Sequence, residues 1–423
     1  MIVADTHHGA GSASSDSWSR PNYFKSPDFP IHAMGFWWLM WMAISLSPLN
    51  ELLKPSWATM GQCLLLVSSF FAGHAAMKWF RPFDPTVREA AKASAISGSM
   101  RRAMFFAAIG CCLMLVISLK LSGALSTGFV DYFVRLRVAL SEGDFSTLTN
   151  VHSLDILTKI LAFPLSYTVM VILLSVELET SKGTFVICLI NMLAFAYLWQ
   201  VNYPLVHMFW FMIFYMLLTA QRRGRFNRKI LTFSSLIMTV LVASAVNRGG
   251  TDLTGALQHY IIDYHVIGFT FYDQQFQDPQ SILHNLSFGR SSLGFLDQVL
   301  EVLLKPFSVG YHAASSENAD YNDIPLDIGA TDSIQFNAFG TIMFSLYRDF
   351  NVFGLVMGGF AYGAIATRMR YLSGHSWFAG AVFLMLAAAW MMGMMVSPLE
   401  AAYFWFTIVA LAIFNVVNRG VRL

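Results

Sequence analysis

The chain has 423 residues, of which 56% are hydrophobic, 15% aromatic and only 12% charged, with a mean hydropathy of +0.54. Soluble domains carry about 25% charged residues, so this chain has roughly half the usual supply. A soluble chain of this length would divide into about three domains; the missing charge points instead to one helical bundle dissolved in lipid. A net charge of +2 gives no global nucleic-acid signature and makes a nucleic-acid binder a poor candidate. The four cysteines, Cys63, Cys111, Cys112 and Cys188, lie in apolar runs without a CxxC pair. They read as packing residues, which excludes a disulfide scaffold.

A spanning helix needs about 20 mostly apolar residues. Ten segments qualify, near 32–53, 57–77, 103–121, 156–176, 184–200, 203–220, 230–246, 350–367, 377–396 and 401–418. The first 30 residues are polar and lack an apolar h-region, which predicts that the first span is its own insertion signal. The predicted organisation is a tail over 1–31, seven spans over 32–246, a large loop over 247–335, three spans over 336–418 and a short tail over 419–423.

Lysine and arginine set the orientation. Lys78, Arg81, Arg88, Lys92, Arg101 and Arg102 form one cluster, and Arg222, Arg223, Arg225, Arg228 and Lys229 another. With ten spans both fall on one side, together with Arg20, Lys25, Lys182, Arg368, Arg370, Arg419 and Arg422. That side holds 18 of the 27 basic residues and is predicted to be cytoplasmic, with both termini.

The opposite face receives Ser122 to Asp155 and the loop from Asn247 to Gln335, 89 residues with eleven carboxylates and three bases, Arg248, Arg290 and Lys305. Loops this long are usually functional or disordered, and helix patterns argue for order. Leu253, Leu257, Tyr260, Tyr264, Ile267 and Phe271 make one amphipathic stripe, with Asp252, His259 and Asp263 on a neighbouring polar face. Leu293, Leu296, Leu300 and Leu303 make a second, with Asp297 and Glu301 opposite and Pro306 ending it. The predicted fold class is an all-α polytopic membrane protein of about ten transmembrane helices, capped by a helical periplasmic loop.

Ionisable groups at a span mouth are candidates for function. Arg248 stands where the seventh span emerges, and its guanidinium suits bidentate contact with a diphosphate; a lipid phosphate is the plain alternative. His259 and Asp263 are four apart, and with His265 they suit a general base; a solvated His–Asp pair is the plain reading. No metal site is predicted, because a fourth ligand is lacking. Arg348 and Asp349 sit at the mouth of the eighth span, where Asp349 suits a helix N-cap. Arg290 follows Gly289 at the turn into the second loop helix and suits a phosphate or saccharide contact. Asn191 and His207 read as satisfied core groups. No GxxxxGK[ST], HExxH or EF-hand pattern occurs.

The order of features, with a late outer loop followed by Asn337, Phe339, Tyr347, Asp349, Phe350, Gly354 and Gly363, resembles the Wzy-type oligosaccharide repeat-unit polymerases, the bacterial O-antigen polymerases. Ser291-Ser292-Leu293-Gly294-Phe295, and Arg248 leading into Tyr260 and Tyr264, add to it. By motif the resemblance covers roughly residues 230 to 367, and elsewhere only by topology. It implies a glycosyltransferase C-like bundle in the bacterial inner membrane. The expected substrates are undecaprenyl-diphosphate-linked oligosaccharides, with no cofactor and no nucleic acid.

A repeat-unit flippase, a chain-length regulator and membrane lipids are the partners it implies. Arg248, Arg290 and Arg348 would meet diphosphate, and His259, Asp263 or His265 the acceptor, with Asp349, Tyr260 and Tyr264 lining the site. The family tends to carry an outer Arg before the large loop; Tyr197 to Pro204 has none, so Arg135 or Arg137 is expected to serve. The rivals are an O-antigen ligase and a non-enzymatic transporter or flippase. The latter would place charge deep within several spans, whereas these spans are nearly charge-free.

Overall fold

The computed structural model describes residues 26–80, 96–128, 131–132, 135–136, 151–176, 181–199, 201–223, 228–249, 254–255, 258–307, 310–322, 326–330, 334–336 and 340–420. Helices stand at each of the ten predicted span positions. They are α1 (Phe29–Leu46), α2 (Trp57–Phe80), α3 (Gly98–Leu121), α4 (Leu154–Val176), α5 (Lys182–Trp199), α6 (Tyr203–Arg223) and α7 (Arg228–Gly249). After α8 to α11 come α12 (Ile342–Leu372), α13 (Trp377–Met392) and α14 (Ala402–Gly420). Six of these, α1 to α5 and α12, are long and apolar enough to cross a membrane, and the apolar parts of the other four are shorter. The protein is an all-α membrane protein. The described β-structure is a ladder of Leu326–Asp327 with Gln335–Phe336 and a bridge from Leu52 to Gly329.

Tryptophan explains why α1 and α13 pair. An indole buries a large apolar body but needs a partner for its N–H. Trp38 Nε1 donates to Trp390 O at 3.0 Å, and Trp390 Nε1 returns a bond to Met34 O at 3.1 Å. Trp390 also stacks on Phe70 of α2, 4.5 Å between ring centres. Helix α2 lies against α12 through small residues, where little water-driven force remains and backbone proximity supplies the packing. A Cβ at Gly363 would fall 2.0 Å from Phe70 O, so only glycine allows this approach.

Polar groups inside the bundle are satisfied only in part: Asn191 Oδ1 and His207 Nδ1 are buried with no hydrogen bond to a described residue. Asn191 donates to Ala108 O and Ser166 Oγ, and His207 Nε2 lies 2.8 Å from Tyr403 Oη, as expected for core groups. Cys63, Cys111 and Cys188 are buried and Cys112 is half-buried.

The described residues of the large loop are mostly helical up to Asn322, and both stripes are used differently from a simple surface lid; the side chains of Leu253, Leu257 and Tyr260 lie outside the described residues. A π turn, Gln258–Asp263, leads into α8 (Tyr264–Gln277). Ile267 and Phe271 are buried, and so is Asp263, on the face expected to be polar. The wider π turn rotates Asp263 off the surface, and α8 is drawn in against α1 and the segment after it. Thr270 Oγ1 donates to Leu53 O, and Ser56 to Asp273.

The second stripe divides at Gly294 into α9 (Arg290–Leu293) and α10 (Phe295–Leu304), and α11 (Ala314–Asn322) follows. Leu293, Leu296, Leu300 and Leu303 face outward, while Asp297 is buried.

Candidate functional site

The site is built on a break in α12. Phe350 and Asn351 leave helical geometry, and Asn351 takes φ 55° and ψ −144°. The short half, 342–349, therefore folds back on the long half. A Cβ at Gly354 would fall 1.9 Å from Leu346 O, eight residues earlier, an approach that a continuous helix forbids. The predicted eighth span starts at residue 350, where the break occurs. Ile342 N–H donates to Gly393 O, holding the short half on the turn between α13 and α14.

A helix that stops leaves carbonyls without partners. Here Ser287 N–H donates to Arg348 O at 2.9 Å and Phe288 N–H to Asp349 O at 3.2 Å. The Asp349 side chain completes the joint. Its Oδ1 accepts from Ser287 Oγ at 2.5 Å and Ser291 N–H at 2.9 Å, and its Oδ2 from Ser292 N–H at 2.9 Å. Asp349 thus caps α9, a different helix from the span it was expected to cap. The reason is the break, which points residue 349 at the loop instead of along the span.

Beside it lies a polar cluster of the short half-helix, α9, α11 and the α13–α14 turn. Glu400, half-buried in that turn, receives three contacts on Oε1. Asn318 Nδ2 is at 2.7 Å, Ser345 Oγ at 2.5 Å and Ser291 Oγ at 3.3 Å. Ser345 Oγ also contacts Ser397 Oγ, which places a second hydroxyl behind the first. Oε2 accepts no bond from a described residue. Burial pushes the Glu400 carboxyl up to about 7, against the lowering effect of these donors and of Arg348. A carboxyl of that pKa accepts and returns protons near neutral pH.

Arg348 is 3% exposed and is held by the lid helix α11. It donates to Ala314 O at 2.8 Å, to Asn318 Oδ1 and to Glu317, while its Nε is buried without a partner. The guanidinium expected to meet diphosphate is therefore engaged within the protein. Arg290 stays half-exposed at the rim. Its Nε bonds Tyr311 Oη at 2.9 Å and Asp297 at 3.3 Å, and it lies 4.5 Å above the Tyr311 ring.

The His–Asp candidates make their described contacts elsewhere. Asp263 Oδ1 accepts from Gln258 Nε2 at 3.3 Å and Glu51 N–H at 3.4 Å. His265 stacks on Trp41 at 4.3 Å and its Nδ1 lies 2.6 Å from Ile261 O. Burial among these rings pushes its pKa down to about 4, leaving a neutral and weakly basic imidazole at pH 7. Tyr264 packs at the core edge. Arg248, His259 and Tyr260 have helical backbones, but their side chains lie outside the described residues, as do Arg137, Asn337 and Phe339. Arg135 donates to Ser122 O and lies 5.5 Å from the Tyr132 ring centre, within its own segment. Among the described residues no three His, Cys, Asp or Glu side chains come together as metal ligands.

Sequence reasoning missed Glu400, Asn318, Ser345 and Ser397; Ser291 was named, but only as part of a motif. One signal was present: Glu400 is the only carboxylate after Asp349, and it stands in a short turn between two predicted spans. The chain matches no protein-family model, no curated protein and no solved structure.

Proposed function

We propose that the protein is a glycosyltransferase of the outer face of a bacterial inner membrane, joining oligosaccharide repeat units carried on undecaprenyl diphosphate into a surface polysaccharide. The observation that carries this reading is Glu400, a carboxyl with three donors on one oxygen and none on the other among the described residues, at the loop-covered mouth of an apolar bundle. In the reaction, an acceptor sugar hydroxyl attacks the anomeric carbon of the donor. The bond from that carbon to the diphosphate oxygen breaks, and the hydroxyl proton passes to Glu400 Oε2.

The leaving diphosphate needs cations that meet its developing charge. Arg290 at the rim and Arg248 at the end of α7 are assigned that task. Arg348 is assigned a positioning role, holding Asn318 and through it Glu400. Polar groups gathered at one mouth, above spans that are nearly charge-free, favour surface chemistry over passage of a substrate.

The test is complementation of a polymerase-deletion strain with Glu400→Gln, Glu400→Asp and Arg290→Ala, read as the banding of surface polysaccharide. The expected result is core bearing a single repeat unit for Glu400→Gln, partial recovery of long chains for Glu400→Asp and shortened chains for Arg290→Ala. Core with no repeat unit at all would identify a ligase instead. Full-length polymer from Glu400→Gln, with the protein at wild-type abundance, would remove Glu400 from the reaction.

A further inference from the structure

Helix α10 is inside out for a soluble lid. An amphipathic helix on a soluble core buries its apolar face. Here Leu296, Val299, Leu300, Val302 and Leu303 are 38–68% exposed, and Phe307 just beyond is 75% exposed. The polar face is the one that packs. Asp297 accepts from Ala314 N–H at 2.7 Å and from Arg290 and Tyr311, and Glu301 accepts from Ala313 N–H at 2.9 Å and Ser316 Oγ at 3.3 Å. Both carboxylates thus sit at the start of α11, where the helix dipole and free N–H groups favour negative charge. The orientation of α10 is therefore fixed by specific bonds, and its leucines are left outside because of them.

What lies beside those leucines decides what covers them. The loop leading into α9 touches the long half of α12 at its first turn: the Phe288 and Phe350 rings are 6.3 Å apart, and Phe288 is 70% exposed. From there Phe353, Met357, Phe360 and Ile365 continue as exposed apolar side chains down a helix long enough to cross a membrane. Phe288 thus borders the exposed apolar side of α12, and α9, which packs against α12, leads from it directly into α10. Lys305, at the end of α10, is exposed and suits a lipid phosphate.

We infer that α10 is an interfacial helix, with its Leu296–Leu303 face sunk into the outer edge of the same bilayer that the bundle spans. The lid is then anchored on two sides, to the bundle through Asp349 and to lipid through α10. The site beneath it borders the acyl chains, where a lipid-carried substrate would lie. Interfacial helices of this kind bury their apolar face at the boundary of headgroups and acyl chains. The inference rests on the packing of α10 and α12 and holds whether or not the protein is a glycosyltransferase.

The test is fluorescence quenching of the full chain in nanodiscs of phosphatidylethanolamine and phosphatidylglycerol with brominated acyl chains. An environment-sensitive fluorophore is attached at Leu300→Cys, at Leu303→Cys and, as the water-facing reference, at Asp320→Cys. Wild-type chain treated identically gives the background from the native cysteines. Because residues 300 and 303 point outward, the labels leave the lid contacts intact, and monodisperse elution verifies this. The expected result is quenching several-fold greater at 300 and 303 than at 320. Equal quenching at all three would overturn the inference. Protection from water without quenching by brominated lipid, together with self-quenching that grows with protein concentration, would assign the face to a second copy of the chain and overturn it as well.

Discussion

The carboxamide of Asn318 bridges Arg348 and Glu400. Its Oδ1 accepts from the Arg348 guanidinium, and its Nδ2 donates to Glu400 Oε1 at 2.7 Å and to Ser291 Oγ at 2.7 Å. One fully buried amide in the lid therefore joins a cation and a carboxyl whose pKa burial raises, both of which lie outside its own helix.

Asn318→Leu removes an acceptor from Arg348 and a donor from both Glu400 and Ser291, leaving three partners short of bonds. A buried group left unsatisfied costs about 1–3 kcal/mol. The expected outcome is a lower melting temperature in detergent, and a larger loss for Asn318→Leu than for Ser397→Ala, whose hydroxyl acts on Glu400 only through Ser345.

Asp349 tests the joint between the broken helix and the lid. Asp349→Ala leaves the N–H groups of Ser291 and Ser292 without their acceptor, and Asp349→Asn leaves one of them. Bonds to a charged group are worth about 1.5–3 kcal/mol. Amide hydrogen exchange over residues 287–293 should rise strongly in Asp349→Ala and less in Asp349→Asn, with exchange in α3 and α5 unchanged.

The pH dependence follows from Glu400. Its folded pKa of about 7 lies above the ordinary glutamate value of about 4.3, so the folded state binds the proton more tightly than the unfolded chain. Its contribution to stability is complete below the unfolded value and is lost as pH rises from there through about 7. Glu400→Gln, which stays neutral, should flatten that part of the stability profile and be the more stable protein at pH 8. Urea denaturation at a series of pH values reads both effects.

Asn351 holds a positive φ that costs a side-chain-bearing residue about 1–3 kcal/mol. Asn351→Gly should raise the melting temperature, and Asn351→Val should lower it, because a β-branched residue tolerates that geometry least. An unchanged melting temperature in both would show that the fold-back of α12 does not depend on this residue.

A fifth measurement concerns Gly363. Any side chain there meets Phe70 O, so Gly363→Leu should force α2 and α12 apart and abolish monodisperse purification. Gly363→Ala should lower the melting temperature by a smaller step, since overpacking typically costs about 1–3 kcal/mol.

The sequence by itself determined the solvent and the segments. Charge scarcity identified a membrane protein, runs of apolar residues located ten helices, and Asn191 and His207 were legible as core groups because nothing polar accompanies them nearby. The late loop was legible as helical from its period. Which face of each loop helix packs was a tertiary decision. Period gives the angle between apolar and polar faces, but not whether the partner is a protein core or lipid, so α10 reads the same from sequence in either orientation.

The site was also decided in three dimensions. Arg348 read as a ligand contact because it stands with Asp349 at a span mouth; its partners, Glu317 and Asn318, lie about thirty residues earlier and arrive only when the chain folds back at Asn351. Glu400 went unread in the sequence because its donors come from residues 291, 318 and 345. Local sequence determines helix and charge, whereas the perturbed carboxyl arises from burial and from distant donors converging on one oxygen.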